Sequence, residues 1–278
     1  MNREARAGVA LAAPAFVLLA GVAVAPVLAA VWLSLHRSIL VFHEHRFVGL
    51  GNFQFLLSDG RFWSALGTTA YFTAVAVGIE LLLGLPLALL LQNSGGLFRA
   101  ALLLPWAVPT AISARLWAWL FNPQYGLLHR LLPAVDWLGS PRVALHAAIL
   151  VDVWKTTPFV ALLLLAGLQS IPDEVVKAAR IDGARPARIF RSITLPLLKP
   201  AILLALLFRS LDAFRVFDAI YVLTEGGPGN STETLSIYAY KTLLRAGDFG
   251  YGSTLAVATF LCVACIGLLF GRALRERT

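Results

Sequence analysis

Charge is scarce in this chain: Asp, Glu, Lys and Arg together make up 14% of its 278 residues. Soluble domains carry about 25%, so there are too few charges here to clothe a water-exposed surface. Cysteine is nearly absent, with only Cys262 and Cys265, which excludes a disulfide framework. Their C-x-x-C spacing would raise a redox or zinc site on a loop. No second pair exists, however, and the neighbours Leu261, Val263, Ala264 and Ile266 are apolar, so small packing residues are the better reading. No G-x-x-x-x-G-K-[ST] phosphate loop and no G-x-G-x-x-G fingerprint occurs, which leaves the polypeptide without a recognisable nucleotide site. No nucleophile or metal constellation is visible either. His43-Glu44-His45 would need a third ligand from elsewhere, and reads as loop histidines. The expected sets of catalytic, cofactor-binding and metal-binding residues are therefore empty.

What the chain has in abundance is apolar length. Hydrophobic residues make up 59% of it and the mean hydropathy is +0.77, which places it among integral membrane proteins. A bilayer core of about 30 Å takes roughly 20 apolar residues per helix. Six runs qualify: Val9 to Leu35, Ala65 to Leu91, Ala100 to Phe121, Ala144 to Leu168, Leu197 to Leu223 and Tyr251 to Phe270. The first is too long for a signal-peptide core and ends without a small-x-small cleavage pattern, so it is expected to be a retained helix. Prolines 14, 26, 86, 105, 109 and 158 fall within or at the ends of these runs. In a membrane bundle, neighbouring groups can satisfy the carbonyls that proline frees, and the helix assignment stands. The fold class read from the sequence is an all-α membrane protein of six transmembrane helices, a single domain over residues 1–278.

Orientation follows from the basic residues. With the N-terminus inside, Arg3, Arg6, Arg99, Lys177, Arg180, Arg185, Arg188, Arg191, Lys199, Arg272, Arg275 and Arg277 are cytoplasmic. Arg37, Arg46, Arg61, Arg130, Arg142, Lys241 and Arg245 fall outside, and Arg115, Lys155, Arg209 and Arg215 within the spans. The inner segments are shorter and denser in positive charge, so both termini are expected in the cytoplasm. A sequence pI near 10.0 does not point to nucleic acid, because the basic residues are spread over membrane-flanking loops rather than gathered on one face.

The longest inner polar segment, residues 169–196, carries a distinctive order. Pro172-Asp173-Glu174 reads as a helix start, with acidic residues where the dipole favours them. A short helix to Asp182 follows, Ala178 and Ala179 form a small-residue patch, and Gly183 suits the left-handed position past a helix end. A second amphipathic turn is expected to run to Ile193, stopped by Pro196. Lys177-Ala178-Ala179, three residues, Gly183, nine residues, then Ile193-Thr194-Leu195-Pro196 resembles the "EAA" loop of permease subunits of bacterial ATP-binding-cassette importers. Lys177 stands where that family usually has Glu, and Glu174 lies one turn earlier on the same face. Phe47-Val48-Gly49-Leu50-Gly51-Asn52-Phe53 and Leu223-Thr224-Glu225-Gly226-Gly227-Pro228-Gly229, with Thr232 and Thr234 following, are similar to segments of sugar-importer permeases. Trp154-Lys155-Thr156-Thr157-Pro158-Phe159 and the stretch from Leu207 to Arg215 are most similar to the trehalose and maltose type.

The resemblance implies a type I importer permease in a bacterial inner membrane, one half of a pore completed by a second permease subunit. It further implies a cytoplasmic dimer of ATPase subunits that holds the ATP and Mg, and an extracytoplasmic binding protein that delivers the sugar. Glu174, Lys177, Ala178, Ala179, Asp182, Gly183 and Ala184 would then form the helix that couples to the ATPase.

Charged residues at membrane depth usually face a bundle interior or cavity. Arg209, Asp212, Arg215 and Asp218 recur every third residue, a spacing that predicts a self-neutralising ladder on one helix. With Phe214 and Tyr221 they are the candidate pathway residues. The ladder would either offer hydrogen bonds to sugar hydroxyls or only fix helix packing. Glu80 and Arg115 sit alone in their spans and are a possible pair. Trp106, Trp117, Trp119, Phe208 and Phe217 could stack on sugar rings or anchor the span ends. Glycerol 3-phosphate or another polyol is the alternative solute. An ion-coupled secondary transporter is the alternative class, but it would show internal repeats or broken helices at the midplane, and no repeat is visible.

Overall fold

The computed structural model describes residues 3–92 and 94–275, with side chains from residue 11 onward. The side chains of Arg3 and Arg6, and all of Arg277, lie outside the described residues. The protein is mostly helical, and its contacts divide it into two units: residues 1–63 with 238–261, and residues 64–237 with 262–278.

The first unit begins with helices α1 (Arg3–Leu19) and α2 (Ala25–Ser34) joined by a π turn, Ala20–Val24. From Leu11 to Trp32 the helix has no buried residue, and Phe16, Leu18, Val22 and Leu28 are exposed, as suits a helix whose solvent is lipid. The π turn precedes Pro26. Ala25 bonds five residues back to Ala20, which moves the hydrogen-bond register around the proline's missing N–H. A hairpin follows that hydropathy did not signal: β1 (His36–Ile39) and β2 (Glu44–Phe47) pair antiparallel with His36 opposite Phe47. Its pattern is polar on both faces, so no alternation marks it.

Helix α3 (Gly51–Ser58) is tied back by Asn52, whose Nδ2 donates to the carbonyls of Ser34 at 2.8 Å and His36 at 2.9 Å. Gly49, at φ +56°, makes the turn that aims it. Asp59 then joins α3 to α4 (Gly60–Gln92). One carboxylate oxygen accepts the Arg61 N–H at 2.9 Å. The other accepts the hydroxyls of Tyr238 at 2.7 Å and Tyr251 at 2.5 Å. Burial opposes ionisation of Asp59, but the hydrogen bonds from Tyr251, Tyr238 and the Arg61 and Phe62 amides outweigh it and hold the carboxyl below its usual range. Burial and the bond to Asp59 push the Tyr238 phenol up to about 12.

In the second unit the third apolar run departs from expectation. Instead of one span it forms three pieces, α5 (Gly96–Leu102), α6 (Leu104–Ala107) and α7 (Thr110–Leu120). Pro105 and Pro109 account for the breaks, with Val108 extended before Pro109. Among the described residues five continuous helices are long and apolar enough to cross a membrane. After the short α8 (Leu127–Leu131), helix α9 (Ala144–Gln169) runs through the middle of this unit, with Val151, Val160, Ala161 and Leu164 fully buried. A Cβ at Gly167 would meet the side chains of Ala201 and Leu198, so this glycine permits the close packing of α9 on the later helix.

That later helix begins earlier than expected. After α10 (Asp173–Ile181), α11 (Pro186–Ile189) continues through a π turn, Phe190–Thr194, into α12 (Leu195–Ala213). Pro196 was expected to end a turn, yet the helix passes through it. Leu195 bonds five residues back to Phe190, the same device seen before Pro26. The fifth run also stops short of Leu223: α12 ends at Ala213 and α13 (Asp218–Leu223) is separate. The chain closes with α14 (Leu235–Tyr240) and α15 (Phe249–Arg275), in which Cys262 and Cys265 are free thiols.

Candidate functional site

Two places carry the sequence-predicted residues. The first is α10. Asp173 and Glu174 occupy its first turn, and its end is a Schellman motif: Ala184 N–H donates to Ala179 and Gly183 N–H to Arg180, both at 3.0 Å. Gly183 adopts φ +76°, as its position past the helix end predicts. The helix has no buried residue. Glu174, Lys177, Ala178 and Asp182 are exposed, Ala179 and Ala184 half-buried, and Ile181 is 86% exposed. Nothing among the described residues covers this apolar side chain at the helix tip. Beside the helix opens a cleft of 930 Å³, lined by Val176, Arg180, Gly183 and Ala184 together with Leu89, Leu168 and Phe190.

The second place lies among α4, α9 and α12. Arg209, 2% exposed, reaches three carboxylates. Its Nε and Nη2 donate to Glu80 at 2.6 and 2.7 Å, Nη2 also to Asp152 at 2.8 Å, and Nη1 to Asp212 at 2.5 Å. Glu80 is fully buried, and the Thr156 hydroxyl donates to it at 2.7 Å.

The expected ladder is therefore broken after its first rung. Arg209 and Asp212 pair at i,i+3, but α12 ends at Ala213, so Arg215 and Asp218 leave the helix that would have aligned them. Arg215 donates instead to the Leu211 carbonyl at 3.1 Å. The possible Glu80–Arg115 pair is also replaced: Glu80 takes Arg209, and Arg115 is exposed on α7.

Lys155 serves the break in the third run. Its ammonium donates to the carbonyls of Trp106 at 3.1 Å and Val108 at 2.6 Å, oxygens left over where α6 ends and Pro109 offers no N–H. Next to it is a cavity of 270 Å³ lined by Trp106, Thr110, Asp152, Lys155, Thr156, Asp212, Arg215, Phe217 and Asp218, among others. Of the sequence-predicted pathway residues, Asp212, Arg215 and Asp218 line it. Arg209 does not line it, Phe214 is buried, and Tyr221 stacks on Phe217 at 5.2 Å. Trp117 and Trp154 meet edge to face at 5.6 Å. Thr110, Thr156 and the bracing role of Lys155 were missed. Only the proline pair, which leaves carbonyls needing donors, could have signalled the last.

The loop after α13 is closed by a hydrogen bond between the Thr224 and Thr232 hydroxyls at 2.7 Å, with Thr232 donating to Gly227 O at 2.8 Å and Thr234 to Val216 O at 3.2 Å.

Residues 80–276 match the family model described as binding-protein-dependent transport system inner membrane component. The chain is 44% identical over 99% of its length, and 96% of the relative's, to the trehalose/maltose transport system permease protein MalF of Thermococcus litoralis. It is 42% identical to the trehalose transport system permease protein SugA of Mycobacterium tuberculosis, over 96% of this chain and 88% of that one. To the sulfoquinovosyl glycerol transport system permease protein SmoG of Agrobacterium fabrum it is 38% identical, over 97% and 90%. The fold matches a chain from the crystal structure of a bacterial ABC transporter involved in the import of the acidic polysaccharide alginate. That match has a TM-score of 0.82, covering 97% of this chain and 95% of that one at 20% identity. The apolar helices, the capped surface helix and these likenesses agree: the chain belongs to the family of binding-protein-dependent transport system inner membrane components, as a multi-pass inner-membrane permease subunit of an ABC importer.

Proposed function

We propose that this permease carries a disaccharide of the trehalose or maltose type, forming one half of a pore with a second permease subunit. The reading is carried by the match to trehalose and trehalose/maltose permeases along almost the whole chain. The 270 Å³ cavity supports it, because its wall sets carboxylates and threonine hydroxyls beside the rings of Trp106 and Phe217. Acceptors beside aromatic faces suit a solute whose rings are ringed by hydroxyls. Asp212, Arg215 and Asp218 line the solute's path, and Arg209 holds Asp212 in place from behind. An external binding protein delivers the sugar, and both termini face the cytoplasm with α10.

The helix α10 and its cap are the coupling element. Glu174, Lys177, Ala178, Ala179, Asp182, Gly183 and Ala184 present an exposed tip to a cleft of the ATPase dimer, which binds the ATP and Mg. Closure of that dimer switches the permease pair between inward- and outward-facing states through differential contacts. The test is energetic. Uptake of labelled trehalose or maltose by the reconstituted transporter with its binding protein should survive collapse of the proton gradient and stop when ATP hydrolysis stops. The reverse pattern would establish ion coupling and sink the proposal.

A further inference from the structure

The 930 Å³ cleft beside α10 lies where three membrane spans end. Gln92 is the last residue of α4, Gln169 the last of α9, and Pro186 the first of the apolar segment that leads into α12. All three line the cleft, so it sits at the level where hydrocarbon gives way to lipid headgroups. Its wall has both characters. Leu89, Leu168, Ile189 and Phe190 come from the spans, whereas Arg180 and Arg185 come from α10 and the loop after it. Both arginines are exposed, and neither side chain makes a hydrogen bond or ion pair among the described residues. One carboxylate, Asp173, also lines the cleft, two turns back along α10 and about 10 Å from Arg180 at 1.5 Å per residue. The wall thus carries two positive charges against one negative, in a space within the roughly 300–1,000 Å³ range of small-molecule sites.

Helix α10 shows the cleft only one of its faces. Asp173, Val176 and Arg180 follow at spacings of three and four and line it. Glu174, Lys177, Ala178 and Ile181 repeat such spacings on another face and do not line it. Filling the cleft therefore leaves the exposed tip of α10 open to a partner. We propose that this cleft binds an anionic phospholipid of the membrane, with its phosphate on Arg180 and Arg185 and an acyl chain against Leu89, Leu168 and Phe190. A phosphodiester offers only acceptors, which two unpaired guanidiniums match, and basic pockets between span ends suit such headgroups. A free phosphate would fill the charged rim and leave the apolar wall wet. The lipid would brace α10 against the ends of three spans, so that movement of the helix passes to them. That last step deepens the reading of α10 as the coupling element and rests on it; the binding site itself does not.

The experiment uses the assembled transporter, permease pair and ATPase dimer, in nanodiscs of equal parts phosphatidylglycerol and phosphatidylcholine with matched chains. Lipid retained after transfer to detergent is counted by native mass spectrometry. The parent should hold phosphatidylglycerol about ten-fold or more over phosphatidylcholine, since two arginines act on one headgroup. Arg180→Gln with Arg185→Gln should lose most of that preference, and Arg180→Lys with Arg185→Lys should keep it. Arg188 and Arg191 are exposed on the next turns but do not line the cleft, so Arg188→Gln with Arg191→Gln should leave it in place. Equal retention of the two lipids by the parent, an unchanged preference in the first pair, or an equal loss in the last pair would overturn the site. Displacement of the lipid by excess inorganic phosphate would mark a free-anion site and overturn it as well. Dissociation of the ATPase from the first pair, with no lipid preference in the parent, would assign those arginines to a protein contact instead. None of these readouts measures transport, so loss of the lipid site leaves the coupling reading standing, and failure of ATP-driven uptake leaves the lipid site standing.

Discussion

Arg209 gathers Glu80, Asp152 and Asp212 around a single guanidinium, so each of three helices contributes at least one charge to one buried contact. Removing the cation leaves Glu80 and Asp152 buried without compensation, a situation that costs about 3–5 kcal/mol. Arg209→Met should therefore lower stability by that amount, read as a shift in the denaturation midpoint of the purified protein. Pairing it with Glu80→Leu should recover part of the loss, because the uncompensated carboxylate goes with it. Asp212 sits at the exposed edge of the same contact, and Asp212→Ala separates its two roles. If the complex assembles normally while uptake falls, the residue acts on the solute; loss of assembly would leave only packing. Asp59 predicts a pH profile. Its folded carboxyl lies below the ordinary aspartate value of 3.8, so its contribution is complete above 3.8 and is lost as pH falls through the lower folded value. Tyr238, raised from 10.0 to about 12, contributes fully below pH 10 and loses its contribution as pH rises toward 12. Asp59→Asn should flatten the acid edge and soften the alkaline one in a pH series of thermal melts.

At the scale of elements, helix α10 was legible from its residues because its determinants are local. An acidic first turn, two small residues and a glycine past the end specify a short capped helix wherever it lies. Replacing Gly183 by Val forces a β-branched residue to φ +76°, at about 1–2 kcal/mol. Membrane insertion should survive while uptake and ATPase stimulation fall, measured side by side in vesicles. Normal values of both would remove the coupling role. The proline-rich segments were less legible, since a proline states only that one N–H is missing. Before Pro26 and Pro196 a π turn absorbs the defect and the helix continues. At Pro105 and Pro109 the helix breaks, and Lys155 of α9 supplies the donors. Lys155→Met keeps the stem but strips both carbonyls of their partner, at about 1–3 kcal/mol for each group left unsatisfied. The same variant should increase hydrogen exchange across α6 and the start of α7.

For the molecule as a whole, composition and hydropathy alone determined that it is a helical membrane protein. The order of the segment from Lys177 to Pro196 pointed to its family, because lipid leaves backbone no choice but helix and capping chemistry acts within a few residues. Which charges meet was decided only in three dimensions. Spacing of three suggested that Arg209, Asp212, Arg215 and Asp218 neutralise one another along a helix, and solitary placement suggested Glu80 with Arg115. The end of α12 at Ala213 separates the first set. The packing of α9 between α4 and α12 brings Glu80 and Asp152 to Arg209 across 129 and 57 residues of sequence. Periodicity reports which residues share a face, but it cannot report what the face meets, and the cost of burying charge makes that meeting the deciding term. The cavity and the exposed place of Asp212 on its wall follow from that packing.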